Sequence, residues 1–242
     1  MELRIFQKGF NYSQDGPGNR LVYHLQGCNL RCPWCSNPEG LACTGGKAYS
    51  AEELLQQILS SRMMFFDGGG VTFTGGEVTL QFEAVKELLT LLKQNGIHTC
   101  IETNGCHVRL PELFPLVDHL IMDCKHHDPE LHRQVTGASC ALTHQNLRLA
   151  IKAGMQPAVR IPLIGGFNAS MEDARKFAVL FRELGLPGNG TLELLPYHEY
   201  GKDKYMALGM DYTMTDAARI SPSTVTEFAR IFTDAGIHVI RT

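Results

Sequence analysis

Gly27-Cys28-Asn29-Leu30-Arg31-Cys32-Pro33-Trp34-Cys35 is the stretch from which the rest of this chain is read. Its three cysteines lie within eight residues, separated by three and then two others. Structural zinc is usually closed by two Cys-x-x-Cys pairs, or by a Cys pair and a His pair. No second pair follows here at such spacing. Three thiolates on one tight loop suit three corners of an iron–sulfur cube. A [4Fe–4S] cube with three protein ligands keeps one iron open for chemistry. Three incidental buried thiols, or zinc completed by Cys43 or His24, are the alternatives that spacing alone leaves standing.

Around this loop, 242 residues fit one α/β domain with a full core. The formal charge is −3 and no run of Lys or Arg forms a nucleic-acid stripe, so protein or small-molecule partners are expected. The start, Met1-Glu2-Leu3-Arg4-Ile5-Phe6, has no apolar run long enough for a signal peptide, and no stretch approaches a membrane span. Eight cysteines without an export signal point to a reducing cytoplasm and not to a disulfide framework. Cys100, Cys106, Cys124 and Cys140 are scattered and expected to be mostly buried. An open iron further implies an anaerobic setting.

The chain alternates β-type runs with amphipathic helical runs, the pattern of a parallel sheet wound by helices. The turn Gln14–Asn19 predicts entry into a first strand, Arg20–Gln26, which the cysteine loop follows at once. Ser50 and Glu53 form a capping box ahead of a helix with Leu54, Leu55, Ile58 and Leu59 on one face. Strand two, Val71–Thr74, ends in Gly75-Gly76-Glu77, and a helix over Phe82–Asn95 stops at Gly96. Strand three, His98–Ile101, precedes Glu102-Thr103-Asn104-Gly105; strand four, His119–Met122, precedes Asp123-Cys124-Lys125. A helix over Thr143–Ala153 leads to strand five, Ala158–Ile164, and Ser170, Asp173 and Gly185 bound the helix after it. Strand six, Thr191–Leu195, runs into Pro196-Tyr197-His198-Glu199. After a long loop, Ser221-Pro222 opens a last helix, and the run Ile237–Ile240 closes the chain.

Each notable polar or Gly-rich group therefore falls just beyond a strand's C-terminal end, where barrels of parallel strands build their sites. Six such units predict an incomplete barrel, open enough to admit a loop of another protein. Gly75 and Gly76 lack side chains that would hinder close approach to a ligand's ammonium; a plain strand-to-helix turn is the other reading. Asp123 and Lys125 alternate and share a side, as binders of a ribose hydroxyl or cation and of a carboxylate, or as a rim ion pair. Glu102 on the neighbouring strand end suggests a small cation between two carboxylates. His198 stands alone, and no Ser/His/Asp or Cys/His nucleophile pattern is legible, which fits a cofactor-driven reaction.

The cysteine motif resembles the signature of radical S-adenosylmethionine (SAM) enzymes. Asp15-Gly16-Pro17-Gly18, Leu25-Gln26-Gly27-Cys28, Gly68-Gly69-Gly70-Val71-Thr72, Thr74-Gly75-Gly76-Glu77 and Leu194-Leu195-Pro196-Tyr197-His198-Glu199 extend that resemblance to the glycyl-radical-enzyme activating enzymes over nearly the whole chain. The resemblance implies a partial (β/α)6 TIM-like barrel of radical SAM type, one core domain over residues 1–242 with the N-terminal turn and C-terminal loop and helix packed on it. It implies that Cys28, Cys32 and Cys35 hold a [4Fe–4S] cluster. SAM contacts fall to Trp34, Cys35 and Ser36, to Gly75, Gly76 and Glu77, to Asp123, Cys124 and Lys125, and to Arg160 and His198. Glu102, Thr103 and Asp123 match a monovalent-cation site, with Glu102 in place of a shorter Asp. Asp15 would face the incoming glycine loop.

Two departures shape the expectation. Ser36-Asn37-Pro38-Glu39 resembles activases of dehydratase- and decarboxylase-type clients, yet only Cys43 lies between Cys35 and Gly75, so the Cys-rich ferredoxin-like insertion of that group is missing. The implied reaction is reductive cleavage of SAM, and the 5′-deoxyadenosyl radical abstracts a hydrogen atom from a backbone glycine of a glycyl radical enzyme, with a pyruvate formate-lyase-like client favoured. Flavodoxin or ferredoxin is the expected electron donor, and a monomer without nucleic-acid or membrane partners the expected state. A radical SAM enzyme acting on a small molecule or another client, and a non-catalytic zinc or Fe–S module, are the competing readings.

Overall fold

The computed structural model describes residues 1–241 and contains two compact units. The first comprises Met1–Asn29, Glu39–Thr103 and Arg109–Ile121; the second comprises Leu30–Pro38, Asn104–Val108 and Met122 onward. The strands and helices are β1 (Glu2–Tyr12), β2 (Asn19–Leu25), β3 (Lys47–Ser50), α1 (Ala51–Ser60), β4 (Gly70–Gly75), α2 (Phe82–Gln94), β5 (Thr99–Thr103) and β6 (His119–Asp123). They continue as α3 (Pro129–Thr136), α4 (Ala141–Lys152), β7 (Ala158–Leu163), α5 (Met171–Leu184), β8 (Thr191–Pro196), α6 (Lys202–Ala207), α7 (Pro222–Asp234) and β9 (His238–Ile240).

In the first unit the strand order is β3-β1-β2-β4-β5-β6, and in the second β6-β7-β8-β9. β6 is divided, with His119–Ile121 in the first and Met122 and Asp123 in the second. β2, β4 and β5 are parallel, with Val22 opposite Thr72 and Thr72 opposite Cys100. β7, β8 and β9 are parallel too. The six expected strands thus follow one another in sequence order, as a (β/α) winding requires, and the α/β class stands.

Pleating gives the first unit two distinct faces. Leu21, Tyr23, Leu25, Val71, Phe73 and Ile101 form the apolar one, where the Tyr23 and Phe73 rings stack 5.8 Å apart. Arg20, Val22, His24, Thr72, Thr74, Cys100 and Glu102 share the other, which is largely polar. In the second unit a ladder of rings from α5 to α7 builds the core: Phe177 lies 5.8 Å from Phe181, and Phe181 lies 6.1 Å from Phe232.

The helix starts follow the expected signals. Ser50 and Glu53 close a reciprocal capping box on α1, Ser170 and Asp173 do the same on α5, and Gly185 ends α5 at φ +87°. Five elements differ from expectation. β1 and β3 form an antiparallel edge beside β2 that the helix-and-strand pattern did not announce. α3 occupies a stretch with no expected element, opened by Asp128 and Pro129. α6 lies in the expected long loop. β5 takes in Glu102 and Thr103, two residues beyond the expected strand end. No helix among the described residues is long and apolar enough to cross a membrane.

Candidate active site

In the first unit the cysteine loop leaves the end of β2, where Leu25 stands opposite Gly75 of β4. Gly76 N–H donates to Leu25 O (2.9 Å), Glu77 N–H to Gly27 O (2.7 Å) and Gly27 N–H to Gly40 O (2.9 Å). A Cβ at Gly76 would lie 2.0 Å from Gly27 O and 2.6 Å from Gly40 O, and Gly75 sits at φ +116°. The chain's own backbone therefore demands both glycines, and it brings Cys28 beside them through Gly27. The Gln26 amide donates to Glu39 O (2.8 Å) and Ala42 O (2.7 Å), fastening the return of the loop.

Glu77 is 1% exposed; its carboxylate accepts from Thr79 N–H (3.0 Å) and from the Thr79 and Thr103 hydroxyls (2.6 Å each). All three fall on Oε1, the hydrogen bonding that a buried carboxylate requires. Glu102 accepts from the Thr74 hydroxyl at 2.8 Å. Asp15 precedes β2, but its turn folds back over the polar face: Thr72 Oγ1 donates to Asp15 O (2.7 Å), and a Cβ at Gly16 would lie 3.3 Å from Cys100 Sγ. Arg20 is the floor of this turn. Its fully buried guanidinium donates to Thr72 Oγ1 (2.7 Å), Val71 O (2.7 Å) and Pro17 O (3.0 Å). Burial lowers its pKa, with Cys100 opposing most.

In the second unit Cys32 is buried and Cys35 half-buried, joined by a turn in which Cys35 N–H donates to Cys32 O at 3.1 Å. Asn37 N–H donates to Cys35 Sγ at 3.4 Å. Trp34 packs its ring 5.0 Å from Phe167. α6 lies against the turn: a Cβ at Gly201 would come within 2.2 Å of Cys35 O, the Tyr205 hydroxyl donates to Cys32 O at 3.4 Å, and Lys204 Nζ donates to Asn37 Oδ1 at 2.9 Å. Burial and the two neighbouring thiols push the Tyr205 hydroxyl up to about 12. Ser36 sits half-buried between Cys35 and Asn37.

The same unit holds the remaining expected residues. Lys125 Nζ and Asp123 Oδ2 form an ion pair of 2.5 Å, while Cys124 between them is fully buried and burial raises its thiol well above the usual range. The Cys124 thiol donates to His126 O (3.9 Å), and its N–H donates to Arg160 O (2.8 Å). Arg160 lies mid-strand in β7, its Nε bonded to Glu193 Oε2 of β8 at 2.8 Å with both side chains buried. His198 follows β8, stacked 3.8 Å from the Tyr200 ring; its Nδ1 accepts Tyr200 N–H at 3.3 Å, and burial lowers its pKa. Neutral His198 therefore carries its proton on Nε2.

Gln26, Arg20, Asn37, Gly201, Lys204 and Tyr205 escaped the sequence reading. The one available signal was the run Gly201-x-x-Lys204-Tyr205 just after His198. His126, His127 and Asp173 also converge, with ligand atoms within 4.8 Å of one another. Both His126 ring nitrogens are engaged, however, with Asp128 N–H (2.8 Å) and Phe167 O (3.1 Å), and Asp173 holds His127 Nε2 (2.8 Å) and the Ser170 cap. This cluster ties the segment ahead of α3 to the start of α5.

An all-thiol donor set on a braced loop, with a backbone N–H already aimed at one sulfur, fits an iron–sulfur cluster. Comparison with known proteins agrees. Residues 22–178 match the Radical SAM superfamily. The chain is 38% identical over 205 residues to pyruvate formate-lyase-activating enzyme of Clostridium pasteurianum, covering 84% of this chain and 85% of that one. It is 28% identical to 4-hydroxyphenylacetate decarboxylase activating enzyme of Clostridioides difficile, over 98% of this chain and 95% of that one. That alignment spans 303 positions against 242 residues here, so the relative has stretches that this chain lacks. A domain of pyruvate-formate lyase-activating enzyme from Bacteroides vulgatus superposes with a TM-score of 0.58 at 26% identity, covering 72% of this chain and 98% of that one. A radical SAM methyltransferase from Sphaerobacter thermophilus shares the fold, with a TM-score of 0.67 at 16% identity over 98% of this chain and 76% of that one.

Proposed function

The chain belongs to the radical SAM superfamily and, within it, to the activating enzymes of glycyl radical enzymes, and on that premise we propose that its client is a pyruvate formate-lyase-like enzyme. The observation that carries the reading is the three-thiol loop at the end of β2, on a chain 38% identical to an activase of that client. Held by Cys28, Cys32 and Cys35, a [4Fe–4S] cluster with SAM would supply the one-electron chemistry that removes a hydrogen atom from a glycine Cα of the client.

The chain's own residues hold, orient and exclude. Cys28, Cys32 and Cys35 are the cluster ligands in this reading, and Asn37 N–H steadies Cys35 Sγ. Trp34, Ser36, Gly75, Gly76, Glu77, Asp123, Cys124, Lys125, Arg160 and His198 are the SAM-binding set. Glu77 serves by fixing Thr79 and Thr103, both of which its Oε1 holds. Arg160 serves with Glu193 as a buried ion pair, and Cys124 through its buried place between Asp123 and Lys125. His198 Nε2–H is a donor for an acceptor oxygen of the cofactor. Glu102, Thr103 and Asp123 would hold a monovalent cation, Thr103 through its carbonyl because its hydroxyl serves Glu77. Asp15, on the turn above Arg20, would meet the client's glycine loop. Positioning, not acid–base chemistry, is the demand on this site. The client's loop must leave its own fold to reach it. A flavodoxin or ferredoxin is the proposed reductant, and a cytoplasmic monomer the proposed working state.

Anaerobic reconstitution followed by EPR tests this. The wild-type chain is expected to bind iron and sulfide, to give a reduced-cluster signal that changes on adding SAM, and to raise a glycyl radical in pyruvate formate-lyase. Cys32→Ala is expected to abolish all three. Full activity in that variant, or zinc without iron in the wild type, would overturn the proposal. Radical formation only in a decarboxylase-type client would reassign the substrate.

A further inference from the structure

Three residues after His198 lie outside every role assigned so far, yet all three bear on the cysteine turn. Gly201 brings the start of α6 so close to Cys35 O that a Cβ would sit 2.2 Å away. Tyr205, buried on the same helix, gives its hydroxyl to Cys32 O at 3.4 Å. Lys204 reaches Asn37 Oδ1 at 2.9 Å, and the Asn37 N–H donates to Cys35 Sγ at 3.4 Å. The side chain of Asn37 is thus held by a cation while its main chain holds the sulfur.

Resting on the cluster reading above, we propose that Lys204 is a positioning residue that sets the reduction potential of the cluster through Asn37. The physical reason is a charge balance. Reduction adds one negative charge, spread partly onto the ligand sulfurs, and an N–H donor aimed at a sulfur stabilises the reduced form over the oxidised. The Lys204 ammonium, bonded to the side chain of the residue whose N–H reaches the sulfur, adds to that preference. Removing the cation loosens Asn37, weakens the N–H···S contact and makes reduction harder. Because reduction precedes SAM cleavage, Lys204 would govern how strong a donor the protein needs.

The test is a redox titration of the reconstituted protein, followed by EPR and accompanied by iron and sulfide counts. Lys204→Met is expected to bind the full complement of iron but to shift the midpoint negative, by up to a tenfold change in the reduction equilibrium, or about 59 mV for a one-electron couple. Lys204→Arg is expected to restore the wild-type midpoint, and Asn37→Asp to shift it negative as well. An unchanged midpoint in Lys204→Met overturns the proposal. So does an iron-poor Lys204→Met that Lys204→Arg fails to rescue, since the role is then merely structural. A wild-type chain without a reduced-cluster signal overturns the cluster reading itself, and with it this inference.

Discussion

Gly76 shows how a residue chosen for function can be fixed first by packing. The sequence suggests that residues without side chains wait there for a ligand, and the structure fills the space with Gly27 O and Gly40 O. Gly76→Ala is expected to cost more than about 3 kcal/mol or to prevent folding, because backbone atoms on two sides cannot yield. Gly137→Ala is the control: its Cβ meets nothing within 4 Å at φ +91°, so only about 1 kcal/mol of backbone strain is expected. Denaturant unfolding of both variants checks the contrast. The cysteines were legible because ligand spacing is a local property of sequence. Lys204 and Tyr205 were not, since they meet Asn37 and Cys32 only after more than 160 intervening residues have folded.

Among the elements, legibility tracked the strength of the end signals. α1 and α5 begin with full capping boxes, and both starts were placed to the residue. Ser50→Ala is expected to lower stability by about 1 kcal/mol, measured as a shift in unfolding midpoint, because it strips the acceptor from Glu53 N–H. Ser50 also ends β3, so the same change tests that short edge. β1 was missed for a physical reason: only Leu3 and Ile5 of its eleven residues are buried, which leaves no alternation to read. α6 was missed because it has six residues and buries Tyr205 alone. The connection between β5 and β6 is a 3-10 segment, Leu110–Leu116, that contains Pro111 and Pro115, so the third crossover of the winding has no α-helix.

Over the whole molecule, the order of strands was legible and the antiparallel edge was not. Burial also gives the molecule an acid-sensitive character. His98, His126, His132, His144 and His198 all titrate below their ordinary value because burial disfavours the charged ring, and His132 falls to about 4. The unfolded chain then binds more protons than the folded one, so stability is fully present above about pH 6.5 and falls toward about pH 4. Thermal midpoints measured across that window are expected to drop with acid, and His132→Gln to flatten the drop. A midpoint independent of pH there would contradict it. The polar face of the first unit carries one more consequence. Arg20 pins the Asp15 turn level with Val22 and Thr72, three residues short of the strand ends at Leu25 and Gly75. At the usual strand rise that anchor lies about 10 Å before those ends. Two moorings hold that turn, Arg20 to Pro17 O and Thr72 to Asp15 O, so the peptide that carries the Asp15 side chain is tied down at its base.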